Sequence, residues 1–521
     1  MKKIDYKKIL FYVLAITAVI RLFIAANIEL GNDEVYYVLY AMFPDWSHFD
    51  HPSMVGFTIQ LFSLNLLFDH ELFIRLGAIV FSTLNIYLIY SIVKKSVNPR
   101  AGIIASLLYV SSLYTFIISG TFILPDSPQV FFWLLAVKLL LDILPQKDIT
   151  GEYKTKMLWF GIVVGFAMIS KYTSVFLWSG AGLYILFCNR EWLKKRELYF
   201  AVILSLIIFS PVFIWNWQND FISFTFHSER VEVANKGLRL DYFFIEVLGQ
   251  LLYNNPIVVV LTAMAVIAFF KGKKFFNREQ GRVILFISLP LIVLFLGFSL
   301  FRRTLPHWTG PGYMTLMILV AAFIDNKWQK NIIPKVMNYS VLLVLVVIIV
   351  GLTHIKTGWA DFIFEDYKKS EMLGEDDVSL DMYGWKQAQE KFQSIYESDT
   401  ATGRMDNKAV IISRKWFPAA DLDYYFGREM GIDVFAVNNL KEIHKYYWIN
   451  KARGDLYLGM DAYYITTSIH FRLPQHFYGE YFEEIEKPVV IPIYRGGKVV
   501  KNIFVFRMKN LKVIPDYIHF E

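Results

Sequence analysis

The sequence predicts a polytopic α-helical membrane protein that ends in a soluble α/β domain. Three observations predict this class: the composition, the recurrence of membrane-length apolar runs, and a change of pattern near residue 356. The chain has 521 residues, of which 55% are hydrophobic and 17% aromatic, with a mean hydropathy of +0.39. This composition is too apolar for an ordinary soluble enzyme.

Apolar runs of roughly 17–25 residues, the length that crosses a bilayer, recur from residue 9 to about residue 355. They predict about eleven transmembrane helices, of which the fourth, fifth and tenth are short. The predicted spans are 9–28, 72–93, 101–119, 128–144, 157–170, 173–189, 198–217, 243–270, 283–301, 312–325 and 336–354.

Charge placement supports this topology. With a cytoplasmic N-terminus, 22 of the 31 Lys and Arg residues before residue 356 fall in cytoplasmic segments, as the positive-inside rule requires. Missing one span would reverse every later loop and destroy the pattern. The topology places the first outer loop, about 29–71, and the whole segment 356–521 on the outer side.

The segment 356–521 has the pattern of a soluble domain. It carries 22 Lys and Arg against 25 Asp and Glu and lacks a membrane-length apolar run. A helical pattern at 384–397 alternates with short β-rich runs, which predicts an α/β domain; the runs are 409–413, 433–437, 463–467 and 503–507. The predicted domains are therefore 1–355 and 356–521. The net charge of +7 divides into +10 and −3 between them, so it reflects membrane orientation, and no nucleic acid partner is predicted.

Carboxylates gather on the predicted outer side. Asp33 and Glu34 follow the first span, and Asp126 lies in the sequence Leu-Pro-Asp-Ser-Pro before the fourth. Acids at a membrane boundary are costly to hold and usually have a function, so these three are predicted as catalytic acids or bases. The alternative is that they only cap helices, because acids favour helix N-termini.

Cations and histidines on the same side form a second predicted group: His51, Lys171, Arg302, Arg303 and His307. Such residues bind phosphate. A base beside a phosphate-binding cluster suits transfer from a phosphate-linked donor, because the base removes the acceptor's proton while the cations stabilise the departing phosphate. The alternatives are that the lysine snorkels to the headgroups and that the two arginines anchor the interface.

Metal chemistry is not favoured by the spacing of these residues. A site built from Asp33, Glu34, Asp50, His51 and His307 stays an option, but no spacing resembles a helix-borne HExxH or a Cys/His cluster. The sequence therefore predicts no obligatory metal or other cofactor.

Five motifs carry a family resemblance: Asn-Asp-Glu-Val-Tyr-Tyr at 32–37, Asp-His-Pro at 50–52, Leu-Pro-Asp-Ser-Pro at 124–128, Ser-Lys-Tyr at 170–172 and Arg-Arg-Thr-Leu-Pro-His-Trp at 302–308. In this order and on one side, they resemble the bacterial branch of the dolichyl-phosphate-mannose protein mannosyltransferase-like family. This is a GT-C glycosyltransferase group that includes the lipid A aminoarabinose transferase. The resemblance covers the membrane part of the chain.

The resemblance implies an integral membrane glycosyltransferase of the bacterial inner membrane. It implies transfer of a sugar from a polyprenyl-phosphate donor, undecaprenyl-phosphate in a bacterium, to a lipid, glycan or protein acceptor at the periplasmic face. Asp33 becomes the leading candidate for the base, Asp126 the second acid, and Lys171 the match of a phosphate-binding lysine. His51 stands where the aminoarabinose transferase has a lysine. This difference implies either another donor headgroup or a shift of part of the cation role to Arg302 and Arg303.

Two other functions fit a membrane protein of this kind. A transporter or flippase of lipid-linked sugars would carry ionisable residues near span centres and an internal repeat, whereas this chain gathers them at one face. A non-catalytic sugar-binding protein of the same fold would have lost its acids, whereas Asp33 and Asp126 are present.

Overall fold

The computed structural model describes residues 4–233, 236–363, 370–454 and 456–516. Their contacts divide the chain into two units, one formed by Met1–Ala26 with Pro44–Val347 and the other by Asn27–Phe43 with Ile348–Glu521. The predicted bounds differ from these, because the structure assigns Asn27–Phe43 to the unit that contains the C-terminal domain.

Helices dominate the chain up to residue 357. They are α1 Tyr6–Asn27, α2 Asn32–Met42, α3 Met54–Phe62, α4 Glu71–Ser96, α5 Pro99–Val110, α6 Asp126–Ile143, α7 Gly151–Ser170, α8 Phe176–Cys188, α9 Arg196–Gln218, α10 Ile222–Val231, α11 Leu240–Asn254, α12 Pro256–Phe270, α13 Arg278–Ser299, α14 Gly310–Lys327 and α15 Lys335–Thr357. Among the described residues, six helices are long and apolar enough to cross a membrane, and seven if α11 and α12 form one span. Each predicted span overlaps a helix, and the count of eleven crossings stays a prediction.

The eighth predicted span, 243–270, is broken. Its two halves, α11 and α12, meet at 99°, so the segment predicted as one span consists of two helices. Pro256 has no backbone N–H and restricts the residue before it. That residue, Asn255, has a φ of 67°, and its side chain accepts a hydrogen bond from the Ile257 N–H at 3.0 Å, which caps the new helix.

The C-terminal domain is an α/β structure, as its pattern predicts. Its strands are β1 Val410–Ser413, β2 Val434–Ala436, β3 Ala462–Thr467, β4 Phe482–Ile485, β5 Val489–Arg495 and β6 Lys498–Leu511. Its helices are α16 Trp385–Ala401, α17 Trp416–Leu422, α18 Arg428–Met430, α19 Leu440–Ile443, α20 Tyr446–Ala452 and α21 Gln475–Tyr478. The strand order is β2-β1-β3-β6-β4, with β5 also paired to β6. Strands β1, β2 and β3 are parallel, and β6 runs antiparallel to β3, β4 and β5.

The segment Asn27–Phe43 packs on this domain. Glu29 Oε2 accepts a hydrogen bond from the Trp385 N–H at 2.8 Å, and the ring of Tyr36 lies 5.0 Å from that of Trp416. Glu29 is half-buried, and its carboxylate ties the segment before α2 to the start of α16 through charge-assisted hydrogen bonds. The acids of α2 are therefore positioned by the C-terminal domain.

Candidate active site

A buried ion pair joins α6 to the end of α7. Asp126 is the first residue of α6, and Lys171 directly follows α7. The Lys171 Nζ lies 2.6 Å from Asp126 Oδ2, and the two side chains are 6% and 3% exposed. The Tyr114 hydroxyl donates to Asp126 Oδ1 at 2.9 Å. Buried ion pairs persist when further hydrogen bonds satisfy their remaining atoms, as the tyrosine does here.

This geometry tests two alternatives: that Asp126 only caps a helix and that Lys171 snorkels to the headgroups. The N-cap of α6 is Pro125, without a side-chain cap hydrogen bond, and both Asp126 oxygens contact side chains instead. Asp126 is therefore more than a helix cap. Lys171 does not snorkel to the headgroups, because its ammonium is enclosed by protein.

Three histidines surround this pair. His51 precedes α3, His227 lies on α10, and His307 lies in the 3₁₀ turn Pro306–Thr309. The rings of His51 and His227 are 5.9 Å apart, and His227 Nε2 donates to the Asp50 carbonyl at 2.5 Å. Both His51 and His307 lie close enough to Lys171 and Asp126 for these charges to act on their imidazoles.

Burial favours the neutral imidazoles of His51 and His227. Desolvation lowers the pKa of His51 to about 3, although the acids Asp50 and Asp126 act in the opposite direction. Burial also lowers the pKa of His227 below its ordinary value. A neutral imidazole still donates one N–H to a phosphate oxygen, so these histidines contribute hydrogen bonds rather than charge.

Arg230 is a cation of the site that the sequence reasoning missed. Its guanidinium lies 5.4 Å from the ring of Phe226 and 5.4 Å from that of Trp308, and its charge acts on His227 and His307. The sequence predicts only a loop over 218–242. The available signal was the three-residue spacing from His227 to Arg230, which places both side chains on one face of a helix.

Among the described residues, neither Arg302 nor Arg303 has a hydrogen bond or an ion pair with a residue of this cluster. Arg302 Nε donates to the Glu232 carbonyl at 2.6 Å, and Arg303 is exposed. The strongest charges that act on His51 and His307 do not include either arginine. Their phosphate-binding role stays a prediction.

Asp33 and Glu34 lie in the other unit, on the first turn of α2, and have different surroundings. Glu34 is buried, and its Oε2 accepts a hydrogen bond from the Gly31 N–H at 3.1 Å, as in a capping box. Asp33 is exposed. The capping alternative therefore describes Glu34, and Asp33 is the acid of the pair that is accessible for chemistry.

A possible metal-binding group occurs in the C-terminal domain, away from the predicted residues in sequence. His354, Asp361 and Asp377 form the one such group among the described residues. The Arg495 guanidinium contacts both carboxylates and occupies the position that a cation would take. These residues do not fit a metal ion, and the absence of an obligatory cofactor stays a prediction.

Comparisons with known proteins give the class of this chain, a polytopic membrane protein with the GT-C fold. The family model described as dolichyl-phosphate-mannose-protein mannosyltransferase matches residues 50–215, a range that contains His51, Asp126 and Lys171. The crystal structure of ArnT from Cupriavidus metallidurans in the apo state has a TM-score of 0.63 at 12% identity, and the match covers 96% of this chain and 98% of that one. The resemblance predicted from the motifs, and the fold class, are confirmed.

Two further relatives are similar to this chain. The lipid A galacturonosyltransferase RgtD from Rhizobium johnstonii is 20% identical over 304 residues, which cover 58% of this chain and 62% of that protein. The match thus spans less than two thirds of this curated relative. The structure of the Cupriavidus metallidurans ArnT bound to undecaprenyl phosphate has a TM-score of 0.63 at 13% identity and covers 95% of this chain and 97% of that one.

Proposed function

We propose that this protein is an integral membrane glycosyltransferase that moves a sugar from a polyprenyl-phosphate donor to a lipid, glycan or protein acceptor. The proposal places it in the bacterial inner membrane, with the N-terminus cytoplasmic and the C-terminal domain periplasmic. The observation that carries it is the buried Lys171–Asp126 pair with its surrounding imidazoles and Arg230. The similarity to RgtD and to a structure that holds undecaprenyl phosphate supports the donor class.

The donor phosphate is proposed to bind at Lys171. Before the donor enters, Asp126 balances the lysine charge and fixes its position. An incoming phosphate oxygen competes with Asp126 for the ammonium, while Arg230 and the neutral histidines donate further hydrogen bonds. Because both Asp126 oxygens are already hydrogen-bonded, we assign Asp126 a positioning role rather than that of the base.

Asp33 is proposed as the base. Its carboxylate takes the proton of the acceptor hydroxyl or amine as the acceptor atom bonds to the anomeric carbon of the sugar. The bond from that carbon to the phosphate oxygen breaks, and the polyprenyl phosphate leaves with the electron pair. Lys171 stabilises the negative charge that grows on this leaving group, whereas Arg230 contributes equally to donor binding before and during the reaction.

An apolar cavity in the first unit suits the lipid part of the donor. Its volume is about 460 Å³, and its walls come from α3, the loop before it, α7 and α9. Trp46, Phe57, Ile169 and Ile208 are among the lining residues, and Ile169 lies two positions before Lys171. Removing isoprene units from water into such a cavity is favourable, so the cavity supports a polyprenyl donor.

Binding of undecaprenyl phosphate tests this assignment. We expect the lipid to raise the melting temperature of the purified protein, because a ligand at about 100 times its Kd stabilises the folded state by about 2.7 kcal/mol. Undecaprenol, which lacks only the phosphate, is the matched control and is expected to have little effect. Equal stabilisation by both lipids would contradict a phosphate site at Lys171.

Replacing Arg230 by glutamine is expected to raise the KM for the donor about 10-fold with kcat nearly unchanged, since a hydrogen bond to a charged group contributes about 1.5–3 kcal/mol. The control is Arg239→Gln, which removes an exposed arginine paired with Asp241 at 2.7 Å. Steady-state transfer at varied donor concentration makes the measurement. Equal KM changes in the two variants would exclude a specific role for Arg230.

The pH dependence of kcat/KM tests the neutral state of His51. The pKa of His51 is about 3, so its protonation state does not change around pH 6.5. We therefore expect the profiles of the wild type and of His51→Gln to have the same shape in that range. The same shift affects stability: the unfolded chain binds a proton below about pH 6.5 that the folded protein does not. Stability therefore falls as the pH is lowered through 6.5, and less so in His51→Gln. A wild-type inflection near 6.5 that the variant lacks would show a charged imidazole instead.

A further inference from the structure

A second cavity lies within the C-terminal domain, at the carboxyl ends of two parallel strands. Strands β1 and β3 are neighbours in the sheet, but the chain passes from β1 to β2, on the other side, before it returns to β3. Such a reversal of strand order opens a crevice where parallel sheets bind their ligands. The cavity here has a volume of about 400 Å³, within the range of about 300–1,000 Å³ that small-molecule sites occupy.

The charged residues of this cavity are mainly basic. Arg414 and Lys415 directly follow β1, and Arg472 follows β3 at a short distance along the chain. Among the described lining residues, Glu375 is the one carboxylate. Lys415 is already paired with Glu442 at 2.5 Å, so the two arginines supply the charge available to a ligand.

The Arg414 guanidinium is held in place with part of its hydrogen-bonding capacity unused. It lies 4.2 Å from the ring centre of Phe477, and its buried Nε has no hydrogen-bond partner among the described residues. A buried N–H without an acceptor costs about 1–3 kcal/mol. A phosphate or carboxylate bound side-on to the guanidinium would supply that acceptor.

Aromatic side chains form a second part of the wall. Trp416, Phe417 and Tyr464 line the cavity, and the ring of Phe417 meets that of His470 edge-on at 4.9 Å. Aromatic rings offer large, rigid apolar faces with polar edges, which suit the C–H face of a sugar ring. The cavity therefore combines a surface for a sugar ring with donors for an anionic substituent.

We propose that the C-terminal domain binds an anionic carbohydrate, a sugar that bears a phosphate or a carboxylate, in this cavity. Arg414 and Arg472 contact the anionic group, and Trp416 and Phe417 contact the ring. The identification of this ligand with the sugar portion of the acceptor rests on the proposed function, whereas the binding itself does not.

Ligand-observed NMR with the full-length protein in detergent tests the proposal. The probes are glucose 6-phosphate, glucuronate, glucose and inorganic phosphate. We expect at least one of the two charged sugars to bind 10-fold or more tightly than glucose and than inorganic phosphate. Tighter binding of glucose 6-phosphate identifies a phosphorylated ligand, and tighter binding of glucuronate a carboxylated one. If neither charged sugar bound more tightly than glucose and than inorganic phosphate, the proposal would be overturned.

Variants locate the binding site. The double substitution Arg414→Gln with Arg472→Gln is expected to weaken binding of the charged sugar 10-fold or more. Arg404→Gln, which removes an exposed arginine outside the cavity, is the matched control and is expected to bind as the wild type does. The single variant Arg472→Gln is the control for misfolding of the double variant. Arg472 is exposed, so we expect its substitution to leave the fold intact and to weaken binding as well. Unchanged binding in both cavity variants would overturn the proposal, and because no transfer is measured, failure here is distinguishable from failure of the proposed reaction.

Discussion

Replacing Asp33 by asparagine is expected to lower the rate of sugar transfer about 10²–10⁴-fold, the usual contribution of a general base, while the protein stays folded. Asparagine keeps the shape of the side chain but does not take up the acceptor's proton. Asp33 is exposed on α2, so the substitution does not place an uncharged amide in the protein interior. Single-turnover transfer at saturating donor, with a thermal melt of the same preparation, makes the measurement.

The neighbouring acid is the matched control for Asp33. Glu34→Gln keeps an oxygen that accepts the Gly31 N–H, so we expect a transfer rate close to that of the wild type. Loss of the charge at the start of α2 is expected to lower the free energy of unfolding by about 0.3–1 kcal/mol. If Glu34→Gln abolished transfer and Asp33→Asn did not, the roles assigned to the two acids would be reversed.

Replacing Lys171 by methionine is expected to lower kcat/KM about 10²–10³-fold, as when one preorganised donor to a developing negative charge is removed. Methionine fills much of the same volume without the ammonium group. The single substitution also leaves Asp126 buried without its partner, and breaking a buried ion pair in this way costs about 3–5 kcal/mol. Loss of transfer in this variant alone therefore does not separate phosphate binding from folding.

The double variant Lys171→Met with Asp126→Asn makes that separation. It removes both charges of the pair, and asparagine still accepts a hydrogen bond from the Tyr114 hydroxyl. We expect a melting temperature closer to that of the wild type than the single variant shows, with transfer still lost. A folded double variant that transfers sugar at the wild-type rate would exclude Lys171 as the phosphate ligand.

The helical part of the fold was largely predictable because the apolar runs and the positive-inside bias are strong local signals. The break within 243–270 was not predicted; there Asn255 and Pro256 interrupt an otherwise continuous apolar run. Hydropathy averages over such a pair, whereas the missing N–H of the proline acts at one position. The Asn-Pro dipeptide was the local sequence signal that indicates a break in the helix.

The assignment of Asn27–Phe43 to the C-terminal unit could not be predicted from the sequence. The hydrogen bond from the Trp385 N–H to Glu29 joins residues 356 positions apart, and no periodicity reports such a contact. Asp33 therefore belongs to one unit and Lys171 to the other, a division that the motif order along the chain does not indicate.

The pairing within the site was only partly predictable. The sequence placed Asp126 and Lys171 on one side of the membrane but gave them separate roles, as acid and as phosphate ligand. The structure joins them at 2.6 Å, so one positions the other. Tyr114, whose hydroxyl donates to Asp126, lies in a π-helical turn, Tyr114–Ile118. This turn falls within the predicted span 101–119, and the apolar pattern of that span does not indicate a hydrogen bond from its tyrosine.

Transfer from a panel of undecaprenyl-phosphate sugars to total membrane acceptors tests the central claim most directly. The donors carry labelled sugars, each is verified as intact, and the purified wild type is compared with the double variant Lys171→Met, Asp126→Asn. We expect the wild type to move label from at least one donor to an acceptor and the folded double variant to move none above background. Transfer by both proteins would contradict the phosphate site assigned to Lys171, and the absence of transfer by the folded wild type from every donor would contradict the proposed activity.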